Sequence, residues 1–220
     1  MLNIKDFNIL VKNKSPLLKC IFTTLIAQML LTTVVVYLLY KLKKVYFTMN
    51  LLTALLILGV NIYLIFSMVT KNITFNTRVL YFTIFSILNG LIVGSFTRFF
   101  SPKSIKIALL SVLLTFILFF IFGSLTVYFN IDLSWLGILL FIGLVALIIR
   151  YLIMFIYPVN RKTYMTINTF GIVLFSLFIM YDTNKILVRY KNTEVDCVRG
   201  ALDYYLDLIN LFIRFLGRRR

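Results

Sequence analysis

The sequence has no histidine and contains few cysteines and few acidic residues: two cysteines, Cys20 and Cys197, and seven Asp and Glu among 220 residues. The two cysteines lack metal-ligand spacing and no histidine is present to complete a zinc site, so the composition excludes zinc chemistry. We predict that both cysteines are buried, reduced thiols. Only 14% of the residues are charged, whereas a soluble domain has about a quarter. A soluble domain is therefore excluded.

Apolar residues dominate instead, at 61% of the chain. They fall into runs close to the roughly 20 residues that a helix needs to cross a bilayer. The runs cover residues 17–40, 47–69, 79–100, 105–129, 133–157, 163–181 and 198–216. Only helices or closed barrels satisfy their backbone in lipid. We predict an all-α polytopic bundle over 17–216, with short basic tails at 1–16 and 217–220.

Basic residues give the chain a formal net charge of +16. Nearly all of them lie between apolar runs or at the termini, where they contact anionic lipid head groups. We therefore expect the lipid bilayer, and not nucleic acid, to be the partner of this charge. Arg150 is an exception because it lies inside the fifth run. Its side chain either reaches the membrane interface or serves as the counter-ion of a buried carboxylate.

The seventh run is the most polar, since it holds Asp203, Asp207, Asn210 and Arg214. Two architectures are open: six spans with a re-entrant last segment, or seven spans. If the last run re-enters, basic residues are more numerous on the N-terminal side of the membrane; if it crosses, they are more numerous on the opposite side. A cytosolic N-terminus agrees with the positive-inside rule only in the first case. We predict re-entry, with both chain ends in the cytosol.

Two carboxylates, Asp182 and Asp207, lie in or at the edge of the last two apolar runs. An ionised carboxylate at the bilayer centre costs roughly 2.5 to 3.5 kcal/mol. Two such groups brought together in a low-dielectric site share a proton and titrate as a pair. Asp203 lies one turn before Asp207, and Arg199 one turn before Asp203. Asp203 either strengthens the acidic site, which we predict, or pairs with Arg199.

Sequence motifs around these acids resemble the transmembrane Bax inhibitor motif family. The similarity is strongest to its Golgi anti-apoptotic (lifeguard) type, which has poxviral members. The matching stretches are Ile179-Met180-Tyr181-Asp182-Thr183-Asn184-Lys185-Ile186, Tyr205-Leu206-Asp207-Leu208-Ile209-Asn210-Leu211-Phe212, Asp132-Leu133-Ser134-x-Leu136 and Leu30-Leu31-Thr32-Thr33.

The resemblance implies a seven-segment bundle in which an aspartate pair, here Asp182 and Asp207, senses protons on a Ca²⁺ leak path. Both carboxylates would bind the transported Ca²⁺ transiently, and no cofactor is implied. Lys71 is the nearest match to a cationic latch residue of the bacterial relatives, where this chain lacks the arginine. Asp203 stands where the family has a neutral polar residue. The supporting residues are therefore Asp203, Asn210, Arg199, Lys71 and Arg150.

These features predict a pH-sensitive Ca²⁺ leak channel of the Golgi or endoplasmic reticulum membrane that suppresses apoptosis by lowering stored Ca²⁺. The alternative is a non-conducting membrane protein that restrains apoptosis by binding apoptotic or Ca²⁺-handling membrane proteins; an oligomer is compatible with both. An enzyme is not expected. Tyr181-Asp182 matches half of the intramembrane aspartyl protease signature. The Gly-x-Gly-Asp half is missing, since Tyr204-Tyr205-Leu206 precedes Asp207.

Overall fold

Seven α-helices make up the regular structure of the residues that the computed structural model describes, which are 3–41, 51–70, 73–157 and 159–218. The helices are α1 (Ile4–Lys41), α2 (Leu51–Thr70), α3 (Phe75–Thr97), α4 (Pro102–Tyr128), α5 (Ser134–Ile156), α6 (Arg161–Val188) and α7 (Glu194–Gly217). By length and composition, α1, α3, α4, α5 and α6 are apolar enough to cross a membrane. The predicted all-α polytopic bundle is confirmed.

The first helix begins earlier than the apolar pattern indicates. It starts at Ile4 and continues through Pro16, where the sequence predicted the end of a basic tail. Two contacts hold the added turns in place. The Phe7 ring meets the Tyr128 ring edge-on at 5.5 Å, and the Lys14 ammonium donates to the Tyr190 carbonyl. Pro16 removes one backbone donor, a loss that these side-chain contacts offset.

The helices are distributed over two compact units. Unit 1 contains α4, α5 and α6, with the part of α1 before Pro16 and the part of α7 from Leu206 onward. Unit 2 contains α2 and α3, with the rest of α1 and the part of α7 up to Tyr205. Each unit is described separately.

In unit 1, α6 packs closely against both α4 and α5 because glycines face it. A Cβ atom at Gly123 of α4 would lie 2.6 Å from the Met180 carbonyl oxygen, which leaves no room for a side chain. A Cβ at Gly137 of α5 would lie 2.6 Å from the Tyr181 hydroxyl. Small residues allow this close approach of helix backbones, which is a common packing mode in membrane bundles.

The junction between α4 and α5 fits a glycine-free Schellman motif. Asn130 adopts the left-handed conformation (φ 57°) that Asn tolerates better than most residues. The N–H of Ile131 donates to the Thr126 carbonyl at 2.8 Å and that of Asn130 to the Val127 carbonyl at 3.0 Å. These bonds satisfy carbonyls that the end of α4 would otherwise leave exposed.

In unit 2, hydroxyl groups connect α1, α3 and α7. The Thr32 hydroxyl lies 2.6 Å from the Tyr205 hydroxyl and 3.2 Å from the Ser86 carbonyl oxygen. Thr32 has one hydrogen to donate, so when it donates to a carbonyl, Tyr205 is the donor to Thr32. The Tyr205 ring also meets the Phe82 ring edge-on at 5.4 Å. The network fixes the register of these three helices.

A disulfide joins Cys20 of α1 to Cys197 of α7 within unit 2. The prediction of two reduced thiols is therefore wrong. The Cα atoms are 5.7 Å apart, inside the range that a disulfide can bridge. The prediction failed because the two residues are 177 positions apart in sequence, so only the packing of α1 against α7 reveals that they meet.

The last apolar run forms one helix of 24 residues without an internal turn. A segment that enters the bilayer and returns needs such a turn, so the predicted re-entry is wrong. At 1.5 Å per residue the helix is about 36 Å long, which is sufficient to cross a bilayer. The charge count that favoured a cytosolic N-terminus depended on re-entry and no longer supports that orientation.

Candidate functional site

Asp182 lies in the second half of α6, on the face that unit 1 buries. The helix begins at an N-cap, where the Asn160 side chain accepts from the Thr163 N–H at 2.8 Å. Only 5% of Asp182 is exposed. Its carboxylate oxygen Oδ1 lies 3.0 Å from the Lys185 ammonium. One helical turn separates the two residues, so α6 itself supplies a counter-ion for this buried carboxylate.

The end of α6 is fixed to its neighbours by polar contacts on both sides of Asp182. The Asn184 amide donates to the Thr126 hydroxyl of α4 at 2.9 Å and to the Ile131 carbonyl at 3.3 Å. The Lys185 ammonium lies 5.3 Å from the centroid of the Tyr190 ring, a cation–π distance. These contacts hold the helix end that carries Asp182 against α4 and against the α4–α5 junction.

Asp207 occupies the part of α7 that belongs to unit 1, and 3% of it is exposed. Asn210, one turn later, is half-buried and donates from its amide to the Leu206 carbonyl of its own helix at 2.8 Å. Asp182 and Asp207 are therefore buried carboxylates of the same compact unit. Burial of an ionised carboxylate requires strong compensation, so the protonation state of each one is tied to the packing around it.

The structure places the supporting residues in different surroundings. Arg150 is exposed on α5, so it has the environment expected of an arginine at the membrane interface. Asp203 and Arg199 belong to unit 2. Among the described residues they form no ion pair, because the Arg199 guanidinium donates to the Val69 carbonyl instead. Lys71 lies outside the described residues.

The sequence interpretation assigned no role to two buried arginines. Arg78, near the start of α3 in unit 2, donates to the Met68 carbonyl, and Arg214, near the end of α7 in unit 1, donates to the Tyr151 hydroxyl. Both are at most 7% exposed. The available signal for Arg214 was its spacing: it lies seven residues after Asp207, on the same face of a helix.

The carboxylates do not form a crowded metal site. In the part of the chain that the structure describes, no three Asp, Glu, His or Cys side chains are grouped closely enough to hold a metal ion together. Asp182 and Asp207 offer four carboxylate oxygens in total, and Ca²⁺ takes about six to eight oxygen ligands. These two residues match weak, transient cation binding and not a permanent metal centre.

Comparison with known proteins identifies the family. The family profile described as "Inhibitor of apoptosis-promoting Bax1" matches residues 15–217, nearly the whole chain. The chain belongs to the Bax inhibitor family. The resemblance predicted from the motifs around Asp182 and Asp207 is thereby confirmed.

Relatives of this Bax inhibitor family member come from fungi, viruses and plants. "Bax inhibitor 1" of Schizosaccharomyces pombe is 29% identical over 218 residues, 93% of this chain and 80% of the yeast protein. The "Golgi anti-apoptotic protein" of vaccinia virus (strain Lister) is 29% identical over 132 residues, 60% of this chain and 53% of the viral protein. "Protein LIFEGUARD 4" of Arabidopsis thaliana is 34% identical over 99 residues, 42% of this chain and 39% of the plant protein. Together with the apolar helices, the family makes this a multi-pass membrane protein.

Proposed function

We propose that this Bax inhibitor family protein is a pH-sensitive Ca²⁺ leak channel of the Golgi or endoplasmic reticulum membrane, and that it suppresses apoptosis by lowering stored Ca²⁺. The observation that carries the proposal is the burial of Asp182 and Asp207 in the same compact unit. Carboxylates at such positions in a membrane bundle are costly, and they mark ion and proton pathways.

The chemistry of the site supports a gated path. When ionised, Asp182 attracts Lys185 3.0 Å away; a proton or a Ca²⁺ ion at the same oxygens competes with that ammonium. Proton binding therefore changes the contact that holds the end of α6. A conformational equilibrium coupled to this contact responds to pH. Ca²⁺ bound by so few oxygens leaves readily, as conduction requires.

The anti-apoptotic part of the proposal comes from the relatives. One relative is named for Bax inhibition and another for anti-apoptotic action at the Golgi. By this proposal the chain acts in the same process and in a Golgi or endoplasmic reticulum membrane. Apoptotic or Ca²⁺-handling membrane proteins are the partners that we expect.

Purified protein in vesicles that contain a Ca²⁺-sensitive dye tests the proposal. We expect wild-type protein to release Ca²⁺ at a rate that depends on pH. Asp182→Asn and Asp207→Asn should each flatten that dependence. The double variant should add little to either change, because residues that act as one unit are not additive. Asp132→Asn is the matched control, since it removes an exposed carboxylate of the same unit.

Two outcomes would contradict the channel. Wild-type protein that moves no Ca²⁺ at any pH, yet still protects cells, would leave the non-conducting protein that binds partners. A pH profile that Asp132→Asn changes as much as Asp182→Asn does would show a general charge effect and no role for the buried pair.

A further inference from the structure

The Arg214 guanidinium is buried among aromatic side chains in unit 1. Only 7% of the residue is exposed. Its Nη1 donates to the Tyr151 hydroxyl, and its Cζ lies 4.5 Å from the centroid of the Tyr151 ring and 5.6 Å from that of the Phe175 ring. On the third side α6 passes very close, since a Cβ at Gly171 would lie 2.7 Å from Arg214 Nε.

This buried cation has no acidic partner. Within the described residues, which include all seven acidic side chains of the sequence, Arg214 forms no ion pair, and its Nε has no hydrogen-bond acceptor. Tyrosine hydroxyls and aromatic rings supply dipoles but no negative charge. A buried charge without a counter-ion is strongly unfavourable, so the surroundings of Arg214 favour an anion from outside the chain.

A hydrogen-bond chain leads from Arg214 to the wall of a cavity. The Tyr151 hydroxyl, which accepts from Arg214, donates to Asn168 Oδ1 at 3.1 Å. Asn168 is 2% exposed, and its Nδ2 has no acceptor among the described residues. That Nδ2 borders the space left by the missing side chain of Gly217, where a Cβ would lie 2.9 Å away. A donor that lacks an acceptor therefore adjoins Gly217.

Gly217 lines a cavity of about 370 Å³, together with Val159, Arg161, Tyr164 and Met165. Arg161 is the first residue of α6, and the N-terminus of a helix attracts anions through its dipole and its free N–H groups. Helix start, Arg161 side chain and Asn168 amide thus meet at one cavity with the buried Arg214 behind it. The described acidic residues contribute nothing to its lining.

We propose that this cavity binds a phosphate group. Phosphate offers several acceptor oxygens to the guanidinium and amide donors, and arginine binds it strongly. The group comes either from the head group of an anionic phospholipid or from a free phosphate compound. Both ligands share the chemistry that the cavity recognises. Binding would supply the negative charge that the surroundings of Arg214 lack, and it is independent of the Ca²⁺ leak proposed above.

The thermal midpoint of the purified full-length protein tests the proposal in three settings: phosphatidylcholine nanodiscs, phosphatidylcholine nanodiscs with added phosphatidic acid, and phosphatidylcholine nanodiscs with soluble inositol hexakisphosphate. We expect wild-type protein to be stabilised by at least one phosphate probe. A response to phosphatidic acid alone identifies a lipid head group, and a response to the soluble probe identifies a free phosphate compound.

Variants separate the site from general charge attraction. Arg214→Gln should weaken binding of the active probe about tenfold, the loss of one charge-assisted hydrogen bond. Lys162→Gln is the matched control, because it removes an exposed positive charge beside the cavity without touching its lining. Gly217→Ala leaves every charge in place and adds a Cβ 2.8 Å from the Tyr164 hydroxyl, so it should weaken binding as well.

Three results would overturn the proposal: no stabilisation of the wild-type protein by either probe, equal responses of Arg214→Gln and Lys162→Gln, or full binding by Gly217→Ala. If Arg214→Gln does not fold, Gly217→Ala decides the matter, since it retains the arginine and changes only the space beside Asn168.

Discussion

Units 1 and 2 bury different kinds of polar side chain. The buried polar residues of unit 1 include three charged ones, Asp182, Asp207 and Arg214. Those of unit 2 are mainly neutral: Gln28, Thr32, Asn61, Ser67, Ser86 and Thr97, with Arg78 as the charged member among the described residues. Unit 2 also has a covalent link between α1 and α7, whereas the helices of unit 1 are held by close packing and electrostatic contacts.

This difference separates two physical tasks. Neutral hydroxyl networks and a disulfide are insensitive to protons and ions near neutral pH, so they fix helix positions under varying conditions. Buried charges respond to protons, cations and anions because their energy depends on the charge nearby. Both proposals above therefore concern unit 1. The predictions that follow test whether the two units depend on different interactions.

Loss of the disulfide should have the largest effect, and it should be strongest in unit 2. A disulfide that closes so long a loop stabilises a fold by about 4 kcal/mol, chiefly through the entropy of the unfolded chain. We expect a reducing agent to lower the thermal midpoint and to speed hydrogen exchange in α1 and α7. The Cys20→Ser, Cys197→Ser double variant should already show both effects and should not respond to the reducing agent. An equal rise in exchange in α4 and α5 would break the distinction between the units.

Gly123→Ala should have the next largest effect, and it should act on unit 1. The added Cβ would meet the Met180 carbonyl oxygen at 2.6 Å, and a backbone atom cannot move aside as a side-chain end can. We expect a loss of about 1–3 kcal/mol, as for other overpacked sites. Gly59→Ala is the control, because a Cβ there meets nothing within 4 Å. Thermal unfolding of both variants measures the difference; equal stability would show that α4 and α6 are not tightly packed.

The smallest effect concerns an exposed carboxylate of unit 1. Hydrogen bonds from the Ser134 hydroxyl and N–H lower the pKa of Asp132. A lowered pKa in the folded state gives stability that is present above the unfolded pKa and is lost as the pH falls through the folded value. We expect slight loosening of the α4–α5 junction between about pH 5 and about pH 3, close to the usual range of Asp. Hydrogen exchange at residues 130–136 in wild type and Asp132→Asn measures it; identical pH profiles would contradict it.

The fold class and the carboxylates were predictable because both depend on local sequence. Each apolar run identifies a helix without reference to the others. The ion pair of Asp182 with Lys185 is also local, since it spans three residues of α6. Helix ends were less predictable: α1 starts at Ile4 because Phe7 and Lys14 find partners in distant parts of unit 1.

Features made by residues far apart in sequence could not be predicted. Arg214 obtains its aromatic neighbours from α5 and α6, and no local pattern shows which helices meet. The same is true of Cys20 and Cys197. The polarity of the last run suggested a segment that turns back, but α7 is continuous because unit 1 and unit 2 each bury part of its polar face.

The disulfide also constrains the order of events during biosynthesis. Cys197 is translated 177 residues after Cys20, so α1 must be inserted and held as a free thiol while nearly all of the chain is made. Closure of the ring is then a late step that only chains with a complete and docked α7 can take. A chain that stops before Cys197 is left with an unpaired thiol on α1. The bond therefore chemically distinguishes finished molecules from truncated ones.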